Sequence, residues 1–366
     1  DVPPTPQTNC ADFQNANLLR GTNLKVQFLL FTPSDPSCGQ LVEESSDIQN
    51  SGFNATLGTK LVIHGFRALG TKPSWIDRFI GALLRAADAN VIAVDWVYGS
   101  TAAYFSAVEN VIKLGLEISR FLRKLLALGV SESSIHIIGI SLGAHVGGMV
   151  GHFYNGQLGR ITGLDPAGPE YTRASLEERL DPGDALFVEA IHTDTDNLGI
   201  RIPVGHVDYF INGGQDQPGC YSYLICDHMR AVHLYISALE NSCPLMAFPC
   251  TNYKDFLAGQ CLDCFNPFLL SCPRIAFHSS SLLKPRQQRV GKGVLAHPSP
   301  QCQINQVKLK LQASHRVWKK DQTTIIGRFC TAPLPVNDNK NMVCLPEPVN
   351  LKASETVSYD LKITCI

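Results

Sequence analysis

Up to about Pro273, short apolar runs alternate with longer stretches in which apolar residues recur every three or four positions. The segments "KVQFLLF" (25–31), "TKLVIHG" (59–65), "NVIAVDW" (90–96), "SIHIIGI" (134–140) and "RITGLD" (160–165) are short, β-branched and flanked by turn residues, and so predict strands. Between them, "WIDRFIGALLRAA" (75–87), "VENVIKLGLEISRFLRKLLALG" (108–129) and "SLGAHVGGMVGHF" (141–153) predict helices. Such alternation builds an α/β fold, a mostly parallel sheet covered on both faces. Ligand chemistry in these sheets sits at the carboxyl ends of the strands. After "CFNPFLLSCP" (264–273) the pattern changes. "INQVKLKLQ" (304–312), "HRVWKK" (315–320), "TTIIGRF" (323–329) and "YDLKITCI" (359–366) alternate polar and apolar residues and predict a small antiparallel β unit. The expected division is an α/β domain over residues 1–275 and a β domain over 276–366.

Length supports that division, since 366 residues exceed one ordinary core. With 45% hydrophobic and 17% charged residues, the chain reads as folded, not disordered. Its net charge of -1 hides an asymmetry. Residues 276–366 hold 13 Lys+Arg against 5 Asp+Glu, about +8, so the first 275 residues carry about -9. A basic end of this kind suits an anionic surface or a glycosaminoglycan, and a solvated face with no partner is the plain alternative. Nothing in the charge pattern calls for nucleic acid.

Cysteine usage adds the compartment. Nine of the 13 cysteines fall between Cys220 and Cys330, and the close pairs Cys220/Cys226, Cys250/Cys261 and Cys264/Cys272 read as small disulfide loops of an oxidising environment. Zinc is the competing reading of "CLDC" (261–264), but no second CxxC or paired histidines lie nearby. The odd count leaves at least one thiol unpaired or joined outside the chain. "NAT" at Asn54 is a glycosylation acceptor. The opening "DVPPTPQTNC" reads as the start of a mature chain, and no apolar run reaches the roughly 20 residues that span a bilayer. The expectation is a secreted protein.

The predicted strand at 134–140 runs into Gly139-Ile140-Ser141-Leu142-Gly143 and then a helix. That order makes a nucleophile elbow: the turn is too tight for side chains beside the serine, and its strain lifts the hydroxyl above the sheet. The helix start offers the backbone N–H of Leu142 to a developing oxyanion. A plain strand-to-helix turn is the alternative. A serine attacks only when a histidine takes its proton and a carboxylate fixes that histidine's tautomer. Asp165, at a strand end in "ITGLDPAGP", is the first acid placed for this, with Asp181, Asp184 and Asp194 in competition. His192, His206, His228, His233 and His278 all follow. His192 and His206 lie in or beside strand-like segments, and His228 follows Cys226 where a disulfide can pin a mobile loop. A second oxyanion donor is the N–H of Phe66, where the strand "LVIHGF" (61–66) ends.

Taken together, "HGF" (64–66), "VIAVDW" (91–96), "GISLGAH" (139–145), "GLDPAGP" (163–169), "IHTD" (191–194), "GHVDYFINGG" (205–214) and "CDHMR" (226–230) resemble the pancreatic lipase family, in family order over residues 20–275. The resemblance implies an α/β-hydrolase fold followed by a β-sandwich-like domain of lipoxygenase-homology type. It implies Ser141 as nucleophile, Asp165 as orienting acid, His228 as base, and the N–H groups of Phe66 and Leu142 as oxyanion hole. In the family's triacylglycerol lipases a long disulfide-bracketed lid precedes the histidine. Here the bracket Cys220–Cys226 encloses only "YSYLI", and "TDNLGIRIPV" (195–204) is short as well. Two trimmed loops give an open groove, the pattern of the phospholipase A1 members, which admit a charged headgroup. The implied reaction is release of the sn-1 fatty acid from a glycerophospholipid at a membrane surface. Phosphatidylserine and its lyso form are the implied substrates. A neutral lipid lipase and a non-enzymatic lipid carrier are the alternatives, although carriers typically lose a triad residue. No cofactor is required. "LEERLDPGD" (176–184) resembles the family's structural calcium loop, with carboxylates from Asp181 and Asp184 and carbonyls from Leu176 and Arg179; a plain acidic turn is the other reading.

Overall fold

The structure, a computed structural model, describes residues 10–16, 23–101, 103–220, 225–240, 247, 249–257, 303–310, 323–326, 330–331, 343–345, 347–352 and 356–364. The chain divides into two compact units, Asp1–Ser242 and Cys243–Ile366. The expected boundary at 275/276 lies outside the described residues.

The first unit is built on eight strands: β1 (Gln27–Thr32), β2 (Asp35–Leu41), β3 (Gly58–Ile63), β4 (Ala89–Asp95), β5 (Ile135–Ile140), β6 (Arg160–Leu164), β7 (Val188–His192) and β8 (Val207–Phe210). They form one sheet in the order β2-β1-β4-β3-β5-β6-β7-β8. From β4 to β8 all pairings are parallel, and β1 runs antiparallel to both β2 and β4. β2 has no apolar alternation to betray it. Its pairing with β1 (Leu29 opposite Leu41) and the Cys10–Cys38 disulfide hold "DPSCGQL" extended.

Helices α2 (Ile76–Ala86), α3 (Tyr104–Ala127), α4 (Leu142–Phe153) and α5 (Cys226–Leu239) cover the sheet, and a short α1 (Ser45–Gln49) follows β2. Alternation along the strands separates two cores. Leu61 and Ile63 join α3 and α4, whereas Val62 between them joins α2 and α5. In α3 the buried positions Val111, Leu114, Ile118, Leu122 and Leu125 recur at helical spacing. The helix stops where Gly129 takes a φ of 96°, a left-handed conformation that suits glycine. α5 is an element the sequence pattern does not announce. It contradicts the placement of His228 on a loop: His228 stands in the helix's first turn. Ala231, Val232 and Ile236 bury its inner face, but its polar start conceals the period.

The second unit shows the predicted antiparallel pairing. β9 (Gln303–Lys310) pairs with β14 (Thr356–Thr364), β10 (Thr323–Ile326) with β13 (Val349–Lys352), and β11 (Cys330–Thr331) with β12 (Val343–Cys344). A short α6 (Tyr253–Leu257) precedes them. "HRVWKK", Cys261, Cys264, Cys272 and His278 lie outside the described residues. Cys250 and Cys344 are disulfide-bonded.

Ile92 lies fully buried at the centre of the sheet. Ile92→Ala should lower unfolding free energy by about 2–5 kcal/mol through lost burial and the cavity left behind. Leu69→Ala, at an exposed loop position, should change it by less than about 0.5 kcal/mol. Urea unfolding of both variants checks the pair.

Candidate active site

The strands end in step. Ile63 stands opposite Gly139, Gly139 opposite Gly163, and Ile140 opposite Leu164, which in turn stands opposite Ile191. The residues that follow, from His64, Ser141, Asp165 and His192 onward, therefore emerge along one edge. Ser141 joins β5 to α4 with φ 57° and ψ -119°. A non-glycine residue there stores about 1–3 kcal/mol of strain, held by its surroundings. The flanking glycines have no room for a side chain. A Cβ on Gly143 would stand 2.1 Å from the Ile63 carbonyl oxygen, and one on Gly139 would stand 2.2 Å from that of Gly143. Gly65, just past β3, is also tightly placed: its Cβ would lie 2.7 Å from the Ser141 Cβ. The chain after β3 thus lies against the serine, with Phe66 next in line. The first N–H of α4, on Leu142, has no carbonyl one turn back to receive it.

Asp165 is fully buried at the end of β6, also at a positive φ of 41°. Its Oδ1 accepts from the backbone N–H groups of Thr193 (2.7 Å) and Asp194 (3.1 Å). Its Oδ2 accepts from His228 Nδ1 at 2.6 Å. In the neutral ring that bond places the proton on Nδ1 and leaves a lone pair on Nε2. Gly199 fits directly over the carboxylate, since its Cβ would lie 2.6 Å from Oδ1.

The other candidates are placed elsewhere. His192 is buried, bonds Asp208 Oδ1 at 2.7 Å and stacks on Phe210. His206 Nδ1 accepts from the Val188 N–H, and His233 lies further along α5. Asp181 and Asp184 lie in a separate turn. Asp181 Oδ1 accepts from the Gly183 N–H at 2.6 Å, and Asp184 Oδ2 from the Asp181 N–H at 2.9 Å. Asp194 belongs to the site as a neighbour: its carboxylate, that of Asp165 and the His228 ring bring ligand-type atoms within 4.8 Å of one another.

Two residues escape a reading of the sequence. Gly199 looks like any loop glycine until the carboxylate beneath it is seen. Gln217 is buried, and its Nε2 donates to the carbonyls of Thr193 (3.0 Å), Ile211 (2.9 Å) and Gln215 (3.1 Å). Its backbone N–H donates to Asp227 Oδ1 at 2.7 Å, in the first turn of α5. Nothing local marks it. The Cys220–Cys226 disulfide closes on Cys226, the first residue of that turn.

The Ser141 N–H donates to the carbonyl of Leu164, the residue before Asp165, at 3.1 Å, so the strained elbow adjoins the strand end that carries the buried carboxylate–imidazole pair. The family model described as "Lipase" matches residues 1–296. The chain belongs to the lipase family. It is 82% identical over 431 aligned positions to "Phospholipase A1 member A" of Bos taurus, covering 100% of this chain and 94% of that protein. The same-named protein of Homo sapiens is 70% identical over the same span, and "Lipase member H" of Danio rerio is 46% identical over 281 positions, covering 74% of this chain and 62% of that one. As this chain has 366 residues, an alignment of 431 positions leaves at least 65 residues of the bovine relative without a counterpart. This member of the lipase family has the α/β-hydrolase fold and is a hydrolase.

Burial raises the Asp194 carboxyl to about 6, and the neighbouring negative charge of Asp165 adds to the shift against bonds from Asn197 and Leu198. The folded state therefore binds this proton more tightly than the unfolded chain. The corresponding stability is fully present below about pH 4 and is lost as pH rises through about 6. Comparing melting temperatures of wild type and Asp194→Asn from pH 4 to 8, the variant should lack this component of the decline.

Proposed function

We propose that the chain hydrolyses the sn-1 ester of glycerophospholipids, giving a lysophospholipid and a fatty acid. The observation that carries the substrate class is the identity, along the whole chain, to proteins named phospholipase A1 member A. In the reaction, Ser141 Oγ attacks the sn-1 carbonyl carbon while His228 Nε2 takes the hydroxyl proton. Asp165 keeps the ring oriented and steadies the imidazolium. The N–H groups of Phe66 and Leu142 receive the oxyanion of the tetrahedral intermediate. When the intermediate collapses, the ester C–O bond breaks and His228 returns the proton to the departing lysophospholipid oxygen. Water, deprotonated by the same nitrogen, then attacks the acyl-serine, releasing the fatty acid and restoring the Ser141 hydroxyl.

The short Cys220–Cys226 bracket and the short 195–204 loop favour an open groove, and with it a phospholipid headgroup; phosphatidylserine and its lyso form are the substrates we infer. Leu69, Leu198 and Ile225, exposed in the loops at the serine's edge of the sheet, support contact with a phospholipid membrane surface. No helix among the described residues is long and apolar enough to cross a membrane. Disulfides and the exposed "NAT" acceptor at Asn54 support secretion and glycosylation. The basic residues after Ala276 support an anionic surface or glycosaminoglycan as a further partner.

Calcium fits the 176–184 turn. Asp181 and Asp184 would supply carboxylate oxygens, and the carbonyls of Leu176 and Arg179 would be the other oxygen donors. Burial pushes the Asp184 carboxyl up to about 8, with Asp181's charge also raising it, a cost that a bound cation would remove. Its role would be structural. A chelator should lower the melting temperature of wild type and leave Asp184→Asn unchanged, with turnover at low temperature unaffected in both.

Ser141→Ala should abolish fatty-acid release from phospholipid vesicles while leaving the melting temperature within about 3 °C. Wild type should release more fatty acid from phosphatidylserine than from phosphatidylcholine, and least from triolein. A preference for triolein would replace this reading with a neutral lipid lipase.

A further inference from the structure

His64 is a buried imidazole just past β3 that the hydrolytic scheme leaves idle. Its ring is 1% exposed and stacks on Trp96, centroids 5.6 Å apart and planes 18° from parallel. The Trp96 indole N–H donates to the His64 carbonyl at 2.8 Å, fixing the backbone at this point. The Trp96 backbone N–H donates to Nε2 at 3.2 Å. An N–H can only donate, so Nε2 carries a lone pair and the single proton of the neutral ring is on Nδ1. Nδ1 in turn donates to the Gly65 carbonyl at 2.9 Å. Asp95, the nearest acid, stands 3.9 Å from Nε2 and is occupied by the N–H groups of Val97 and Gln14 and the Gln27 amide.

The Gly65 carbonyl and the Phe66 N–H are the two ends of one planar trans peptide. A bond that holds the oxygen on one side directs the N–H to the other. The same peptide follows the glycine that lies against Ser141. We infer that His64 is a positioning residue: its Nδ1–H sets the Gly65–Phe66 peptide so that the Phe66 N–H meets the oxyanion without rearrangement, and Trp96 selects the tautomer that does so. This rests on the reading of Phe66 as an oxyanion donor. Preorganised donors stabilise the transition state more than the bound ester, so the effect falls on kcat.

Asparagine places an amide N–H near the position of Nδ1–H, and glutamine places one near Nε2. His64→Gln should lower kcat about tenfold to a hundredfold with KM within about twofold, and His64→Asn should keep kcat within about threefold of wild type. A boronic acid that forms a tetrahedral adduct on serine should lose affinity in step with kcat. Variants equally active, equally impaired, or with asparagine the poorer would overturn the inference. A second measurement needs no variant to fold: nitrogen-15 spectra of the histidine-labelled enzyme should show His64 neutral with its proton on Nδ1, and a proton on Nε2 would overturn it. Turnover that survives Ser141→Ala would instead sink the underlying reaction scheme. An inactive Ser141→Ala beside a fully active His64→Gln would sink this inference alone.

Discussion

Backbone meets backbone at the elbow, and no side chain fits in the space between. Gly143 lies against the end of β3, Gly139 against Gly143, and Gly65 against Ser141 itself. These contacts hold the strained serine in place, because the turn can relax only by driving α4 or β3 off the sheet. The strain of about 1–3 kcal/mol at Ser141 is small beside the burial that such a move would undo. The two N–H groups we propose as oxyanion donors belong to the segments in contact: Leu142 opens α4, and Phe66 follows Gly65.

Electrostatics separates two neighbouring acids. Asp165 and Asp194 are both buried, yet their surroundings differ. Asp165 receives two backbone N–H groups and an imidazole, all at 2.6–3.1 Å. Asp194 receives the Asn197 amide at 3.2 Å and the Leu198 N–H at 3.3 Å, longer and fewer bonds. A charge removed from water is tolerated where donors replace the water. Burial with few donors in place of water raises the Asp194 carboxyl to about 6, and the neighbouring charge of Asp165 adds to the shift.

What the sequence discloses and what it withholds follow from how far each feature depends on distant residues. β3, β4 and β5 are runs of β-branched residues whose partners on both sides are equally apolar, so local composition suffices. Gly139, Ser141 and Gly143 are legible because one tight turn imposes all three constraints within five residues. β2 owes its extension to β1 and a disulfide, and its own residues are those of a turn. α5 begins with a polar cluster serving the site, which interrupts the helical period where a reader would look for it. Choosing His228 over His192 from composition alone is impossible, because each sits near an acid and only the fold decides which acid. Gly199 and Gln217 act on atoms 34 and 24 positions away, on Asp165 and Thr193, and no local pattern registers that.

The same long-range bonds explain how a chain with so short a bracket before its histidine keeps the histidine in place. Cys220 and Cys226 are six residues apart, and a loop of that size covers little. Gln217 supplies what the loop does not. Its amide joins the carbonyl of Thr193, whose own N–H holds Asp165, to the carbonyls of Ile211 and Gln215, and its backbone N–H holds Asp227 beside His228. The loop that binds Asp165 and the helix that carries His228 are thereby tied through one residue on the near side of the disulfide. None of these bonds passes through the residues that the bracket encloses. The length of that bracket can consequently vary without moving the carboxylate–imidazole pair.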